Sequence, residues 1–119
     1  MNKPLPGFGL HLTLDGYGCS YEQLTNLDLI YQFLDQCPDL IHMTKIMPPY
    51  VFKYHGKVPE DWGLSGFVLI AESHISIHTF PDRGYLSLAH LGELRLARQR
   101  TFSQVADLHV ASTVLLASR

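Results

Sequence analysis

"SGFVLIAESHISIHTFPDRGY", residues 65–85, decides the fold. From Ser65 to Phe80 it is rich in β-branched residues, among them Val68, Ile70, Ile75, Ile77 and Thr79, which suit a pleated sheet better than a helix. The run is too long for one ordinary strand, so it predicts two strands meeting near Glu72 and Ser73. "PDRG" places Pro81 and Gly84 where a chain reversal needs them, and "YLSLAHL" then returns as a third strand. Three consecutive strands with short connections make the centre of an antiparallel sheet.

Working outward, "FGLHLTLD" (8–15) sets Leu10, Leu12 and Leu14 against His11 and Thr13, the period of two of a half-buried strand. Ser20 and Gln23 have the spacing of a capping box, and Leu24, Leu27, Ile30 and Leu34 recur at helical spacing. A helix is therefore expected from Ser20 to Gln36, stopped by Pro38. "LIHMTKIM" (40–47) reads as a second strand interrupted by Pro48 and Pro49, with "YVFKY" (50–54) beyond it. Residues 55–63 form a loop, either a solvated connection or a flap over a site. "ELRLARQRTFSQVADL" (93–108) aligns Leu94, Ala97, Thr101, Val105 and Leu108 on one helical face, and "VASTVLLA" (110–117) reads as a last strand. The order written from these segments is β-α-β-β-β-α-β. It is an α+β, two-layer α/β sandwich with an antiparallel sheet and both helices on one face, in a single domain spanning 1–119. The other sheet face then needs a cover, so a dimer is expected.

Composition narrows the function. The chain has 119 residues, 46% hydrophobic and 17% charged, enough for one core and too apolar for sustained disorder. A net charge of -2 gives no electrostatic reason to expect nucleic acid or an anionic membrane surface as partner. Apolar runs such as "GFVLIA" fall far short of the roughly 20 residues a bilayer span requires. The N-terminal "MNKPLPGFG" lacks the apolar core of a secretory signal, so a cytoplasmic location is expected. Cys19 and Cys37 form no dense framework and no C-x-x-C pair, and read as reduced structural thiols.

His74 and His78 invite a metal reading, but residues four apart on a strand lie about 13 Å from each other, too far to share one small ion. No metal is expected. A serine hydrolase is disfavoured because "ESHIS" lacks the glycines of a nucleophile elbow. From pattern alone, both histidines belong on the solvated face of a strand whose isoleucines point inward.

"LSGFVLIAESHISIHTFPDRGY" resembles the self-processing segment of the S-adenosylmethionine decarboxylases of the short bacterial and archaeal type. The resemblance runs back through "GLHLTLDGYGC" and "MTKIMPPYVFKY", covering most of residues 8–88. The combination of E-S-H-x-S-I-H-T with S-G eight residues before the serine is what makes it specific.

The resemblance implies that the Ser73 hydroxyl attacks the carbonyl of Glu72 and converts an amide to an ester. His78 would remove the α-proton of residue 73, so that the chain breaks into a β-chain of 1–72 and an α-chain of 73–119 beginning with a pyruvoyl group. Ser65 would donate to the oxyanion or ester. The pyruvoyl carbonyl derived from Ser73 would form a Schiff base with S-adenosylmethionine and take up the electrons left by carbon dioxide, supplying aminopropyl groups for polyamine (spermidine) synthesis. Asp82 matches a carboxylate that binds the ribose hydroxyls, with a turn residue as its plain alternative. Phe52, Tyr54 and Phe80 are candidates for stacking on adenine. Two processed protomers would pack sheet against sheet into a four-layer assembly. Alternation along the strand puts Ser73 and His78 on opposite faces, so a kink before the strand is expected to bring the serine back toward the histidine.

One position departs from the family pattern. A proton-donating cysteine is expected twenty residues after the processed serine; Glu93 stands there, and no cysteine follows Cys37. Glu93 or His90 could supply the acid instead, or Glu93 could simply cap a helix. This leaves open the same chemistry on arginine or ornithine, and a non-catalytic homologue that folds and dimerises.

Overall fold

The computed structural model describes residues 11–71, 73–91 and 113–118. Its elements are β1 (His11–Tyr17), α1 (Tyr21–Leu24), α2 (Leu27–Leu40), β2 (Tyr50–Tyr54), β3 (Gly63–Ile70), β4 (Ser73–Phe80), β5 (Tyr85–Leu91) and β6 (Thr113–Ser118), with short 3₁₀ turns at Pro59–Asp61 and Pro81–Arg83. The strands form one sheet in the order β2-β3-β4-β5-β1-β6, and every neighbouring pair is antiparallel. The class expected from the sequence holds. The sheet has six strands, one more than the order written above; with 65–80 as two strands, as expected, "YVFKY" and "YLSLAHL" each supply one more between the first helix and residue 92. The expected helix over 93–108 lies outside the described residues, as does Glu93.

Residues 65–80 fold as the period-two pattern requires. Ile70 pairs with Ser73, so only Ala71 and Glu72 join β3 to β4, and the ladder runs without interruption to Ser65 opposite His78. Val68, Ile70, Ile75 and Ile77 are fully buried on one face. Leu12 and Leu14 of β1 and Leu86 and Leu88 of β5 extend that apolar face. At the turn, Gly84 takes φ of 60°, a left-handed conformation that costs glycine little, and its carbonyl accepts from Cys19 N–H at 2.9 Å.

The first helical segment is split where one helix was expected. Ser20 caps α1 by accepting from Gln23 N–H at 3.5 Å. Thr25 then ends it, donating its hydroxyl to the Tyr21 carbonyl at 2.9 Å. Asn26 starts α2 by accepting from Leu29 N–H at 3.1 Å. Two side chains that bond the backbone locally interrupt the helix at Thr25–Asn26. Leu27 falls at this break and is exposed, contrary to its expected place in the core. The buried face is instead Ile30, Phe33, Leu34 and Cys37, lying across the isoleucine face of the sheet.

Pro38 does not stop the helix, which runs to Leu40. Proline removes one N–H from the ladder there, within the last turn, and its ring is buried. "LIHMTKIM" is likewise no strand. His42 adopts φ of 60° after the helix, and Lys45 makes a single bridge to Ile70. The Lys45 ammonium pairs with Asp35, tying this connection back to α2.

The second face of the sheet carries Tyr50, Phe52 and Tyr54 of β2, Phe67 and Leu69 of β3, and His74, Ser76 and His78 of β4. The register puts these side by side. Tyr50, Tyr54, Phe52 and Leu69 are exposed. Among the described residues, no element covers this face.

Candidate active site

Ser65 and His78 are register partners on β3 and β4, so their side chains rise side by side from the open face. Ser65 Oγ lies 2.9 Å from His78 Nδ1. A hydroxyl both donates and accepts, so this bond forms with either neutral tautomer of the imidazole. Solvent reaches the ring, yet the protein around it removes enough water to hold its pKa below the ordinary 6.5. The pair is therefore set to work with a neutral imidazole, able to accept a proton, beside a hydroxyl able to donate one.

A cavity of about 270 Å³ opens on this pair, and Phe52, Tyr54 and Phe80 wall it. Three aromatic rings around a serine–histidine pair make a site for a flat apolar group next to proton-transfer chemistry. A second depression, of about 330 Å³, reaches the same pair past Phe67, His74 and Ser76.

Two further polar residues line the main cavity without having been singled out from the sequence. Thr79 is buried. Its hydroxyl accepts from Leu64 N–H at 2.9 Å and donates to the Leu24 carbonyl at 2.9 Å, fastening α1 to β3 and β4 directly behind Ser65 and His78. Asp61 comes from the 3₁₀ turn in the 55–63 loop. Thr79 belonged to the quoted motif and was legible there as a strand residue; nothing in the local pattern marked Asp61. Through Asp61 the 55–63 loop contributes to the lining of this cavity.

Tyr85 lies beside Phe80, ring centroids 5.5 Å apart, and donates to Asp15 Oδ1 at 2.6 Å. Burial first, and then the Asp15 carboxylate, push the Tyr85 phenol up to about 12, so it remains a donor at neutral pH.

The structure brings together Ser65, His78, Phe52, Tyr54 and Phe80, and leaves other expected site residues elsewhere. Ser73 opens β4 five residues from His78, about 16 Å along a strand. Its hydroxyl donates to the His74 carbonyl at 3.5 Å, and it does not line the cavity. The kink expected just before β4 falls at Glu72, outside the described residues; from Ser73, paired with Ile70, regular alternation continues to His78. Glu72 itself lies outside the described residues. Asp82 is exposed and off the cavity wall. His90 is buried opposite Leu12 and Ile75, on the helix-covered face, so within one chain it does not reach the cavity as an acid.

Among the described residues no three His, Cys, Asp or Glu side chains are grouped to hold a metal ion. Cys19 and Cys37 are buried and not joined in a disulfide. Burial pushes the Cys37 thiol up to about 12, which leaves it protonated and unreactive. No helix among the described residues is long and apolar enough to cross a membrane.

Comparison with known proteins places this arrangement. Residues 10–90 match the family model of S-adenosylmethionine decarboxylase, and the chain belongs to that family. Over 80 residues, 67% of this chain, it is 36% identical to an S-adenosylmethionine decarboxylase proenzyme of Clostridium botulinum. It is 38% identical over the same length to a proenzyme of that description from Thermococcus kodakarensis. The match spans 64% of the Clostridium relative and 52% of the Thermococcus one. The adenosylmethionine decarboxylase of Aquifex aeolicus shares the fold, with a TM-score of 0.74 over 96% of this chain and 90% of that one, at 21% identity.

Proposed function

We propose that the chain is the proenzyme of a pyruvoyl-dependent decarboxylase acting on S-adenosylmethionine in the cytoplasm, with the product serving polyamine synthesis. The observation that carries this reading is the Ser65–His78 pair, 2.9 Å apart at the floor of an aromatic cavity, in a chain of this family. Self-cleavage before Ser73 would divide the domain into 1–72 and 73–119. Elimination of the ester would leave an enamine at residue 73, and its hydrolysis, taking up water and releasing ammonia, would give the new N-terminus a pyruvoyl group, whose electrophilic carbonyl accepts electrons as carbon dioxide leaves.

The chain's own residues have separable tasks in this reading. His78, neutral because of partial burial, takes the α-proton of residue 73, and the Ser65 hydroxyl donates to the negative oxygen that develops. Phe52, Tyr54 and Phe80 hold the flat base of the substrate and exclude water from one side of it. Residue 73 and the Ser65–His78 pair are about 16 Å apart within a chain, too far for proton transfer. They therefore meet across two chains, packed through the open sheet face as a homodimer. The exposed Tyr50, Phe52, Tyr54 and Leu69 on that face support the packing.

Intact-mass analysis of the purified protein tests the reading directly. Two fragments are expected, with breakage at Glu72–Ser73, and substrate plus cyanoborohydride should leave a mass increment on the smaller one. An uncut chain after prolonged incubation overturns it.

One observation favours a second reading. Glu93 occupies the position where the resemblance places a proton-donating cysteine. A processed but inactive homologue, or a decarboxylase of another amino acid such as arginine or ornithine, would share the cleavage and differ afterwards. Carbon dioxide release across a substrate panel, by the parent and by Glu93→Cys, separates the three. Gain of activity on S-adenosylmethionine in the variant assigns the defect to proton donation alone.

A further inference from the structure

A separate cavity of about 500 Å³ lies at the β2 edge of the sheet, lined by Tyr21 of α1, Lys53 of β2, and His55, Gly56, Pro59 and Trp62 of the 55–63 loop. Lys53 pairs with Leu64, a buried core residue, and Val51, two residues before it, packs against the same core. By alternation Lys53 belongs to the helix-covered face, opposite Phe52 and Tyr54. A second chain packed on the open face would therefore leave this cavity uncovered.

The cavity is built around Trp62, which is half-buried. His55 lies nearly parallel to it, with 16° between the planes and 6.1 Å between ring centroids; Tyr21 meets it edge-on at 6.2 Å, and the Lys53 ammonium is 5.1 Å from its ring centroid. Gly63, next in the chain, holds the ring in place. A Cβ there would overlap the Thr79 carbonyl oxygen and come within 3.1 Å of the Pro81 ring, so only glycine lets the loop sit against β4. The Asp61 N–H donates to the Val58 carbonyl at 3.0 Å and the Trp62 N–H to the Pro59 carbonyl at 3.3 Å, which closes the turn.

Charge and shape decide what such a cavity takes. Its lining includes an ammonium and an imidazole and no carboxylate. Asp61, next to Trp62, lines the other cavity, and Arg83 Nε donates to it at 2.7 Å. Among the described residues no carboxylate pairs with Lys53, whose ammonium has the Trp62 ring as its neighbour. A cation partnered by a ring alone can still meet an anion, and Trp62 and Tyr21 offer flat apolar surface beside it. The complementary ligand joins a flat ring to an anionic group. About 500 Å³, against about 270 Å³ at Ser65 and His78, leaves room for a sugar between the two. We propose that this cavity is a second ligand site for a nucleoside monophosphate, with the base against Trp62 and Tyr21 and the phosphate held by Lys53 and His55. The site is separate from the proposed reaction centre and does not rest on the decarboxylase reading.

Trp62 is the single tryptophan of the chain, so its fluorescence reports the site directly. The test titrates the full-length protein with adenosine monophosphate, adenosine and inorganic phosphate, with calorimetry in parallel. Adenosine monophosphate should change the Trp62 emission saturably and bind at least about tenfold more tightly than adenosine or phosphate, since each of those makes only part of the contact. Lys53→Met should weaken the nucleotide about tenfold and leave adenosine within about twofold, because a charged donor to phosphate is lost. Lys53 is exposed, so the variant should keep the parent's urea midpoint. Phe52→Ala, which removes a wall of the other cavity, should change nucleotide binding by less than about twofold.

Equal binding of adenosine monophosphate and adenosine by the parent, or unchanged nucleotide binding in Lys53→Met, overturns the site. Loss of nucleotide binding in Phe52→Ala with Lys53→Met unaffected moves the ligand to the cavity at Ser65 and His78 and overturns it equally. Inorganic phosphate binding as tightly as the nucleotide overturns the assignment of a nucleotide. None of these outcomes touches the decarboxylase reading, which stands or falls on cleavage before Ser73.

Discussion

His78 joins the open sheet face to the cavity chemistry, and its titration reports on both. Partial burial depresses its pKa below 6.5, so the unfolded chain binds a proton in a pH range where the folded chain does not. Stability should therefore fall as the pH drops from 6.5 through the folded value, with the loss complete below it. In His78→Phe this component of the urea midpoint should vanish. The same depression keeps the imidazole unprotonated, and so able to accept a proton, to lower pH, and the acid limb of self-cleavage should lie below pH 6.5 in a quenched time course. Thr79 is the other residue with a sharp expectation. Thr79→Val strands the buried Leu64 N–H and Leu24 carbonyl and should cost about 2–4 kcal/mol by urea unfolding, while Thr79→Ser should recover most of it. Both residues sit in the quoted 65–85 stretch. Asp61 does not, because its place in the cavity lining follows from a close approach between distant backbones that no local spacing encodes.

At the level of elements, β3 and β4 are specified almost entirely by alternation, since a slip of one residue would turn Ile75 and Ile77 out to solvent and His74 and His78 into the core. Helix α2 is specified less tightly. Phe33 fills the space between α2 and the sheet, and Phe33→Ala should cost about 3–5 kcal/mol in thermal or urea unfolding. The expected stop at Pro38 was wrong because a missing N–H is tolerable in a last turn whose buried face packs on the sheet. Leu27 was misassigned because the caps at Thr25 and Asn26 reset the helical phase, so spacing counted across them loses its meaning. Gly63→Ala belongs to this scale too. It should push the 55–63 loop off β4 and destabilise by about 1–3 kcal/mol. The Trp62 fluorescence maximum should shift with it, because that ring anchors the loop.

For the whole molecule, the separation between Ser73 and His78 makes assembly a condition of the proposed chemistry. Neither Ser73→Ala nor His78→Ala should cleave alone. Refolded together, they form mixed pairs in which one site holds Ser73 from one chain and His78 from the other, and mass spectrometry should find the His78→Ala chain cut. Absence of that fragment in a mixture shown to dimerise would return the reaction to a single chain. The sequence by itself determined the antiparallel sheet, the buried isoleucine face, the turn at 81–84 and the pairing of Ser65 with a histidine strand. These follow from side-chain period and turn chemistry, which act between near neighbours. Only the tertiary structure decided that Ser65 meets His78 while Ser73 stays at the far end of β4, and that Asp61 rather than Asp82 is among the residues lining the cavity. Those outcomes depend on strand register and on how closely a loop and a turn can approach, and both are fixed by packing over the whole chain.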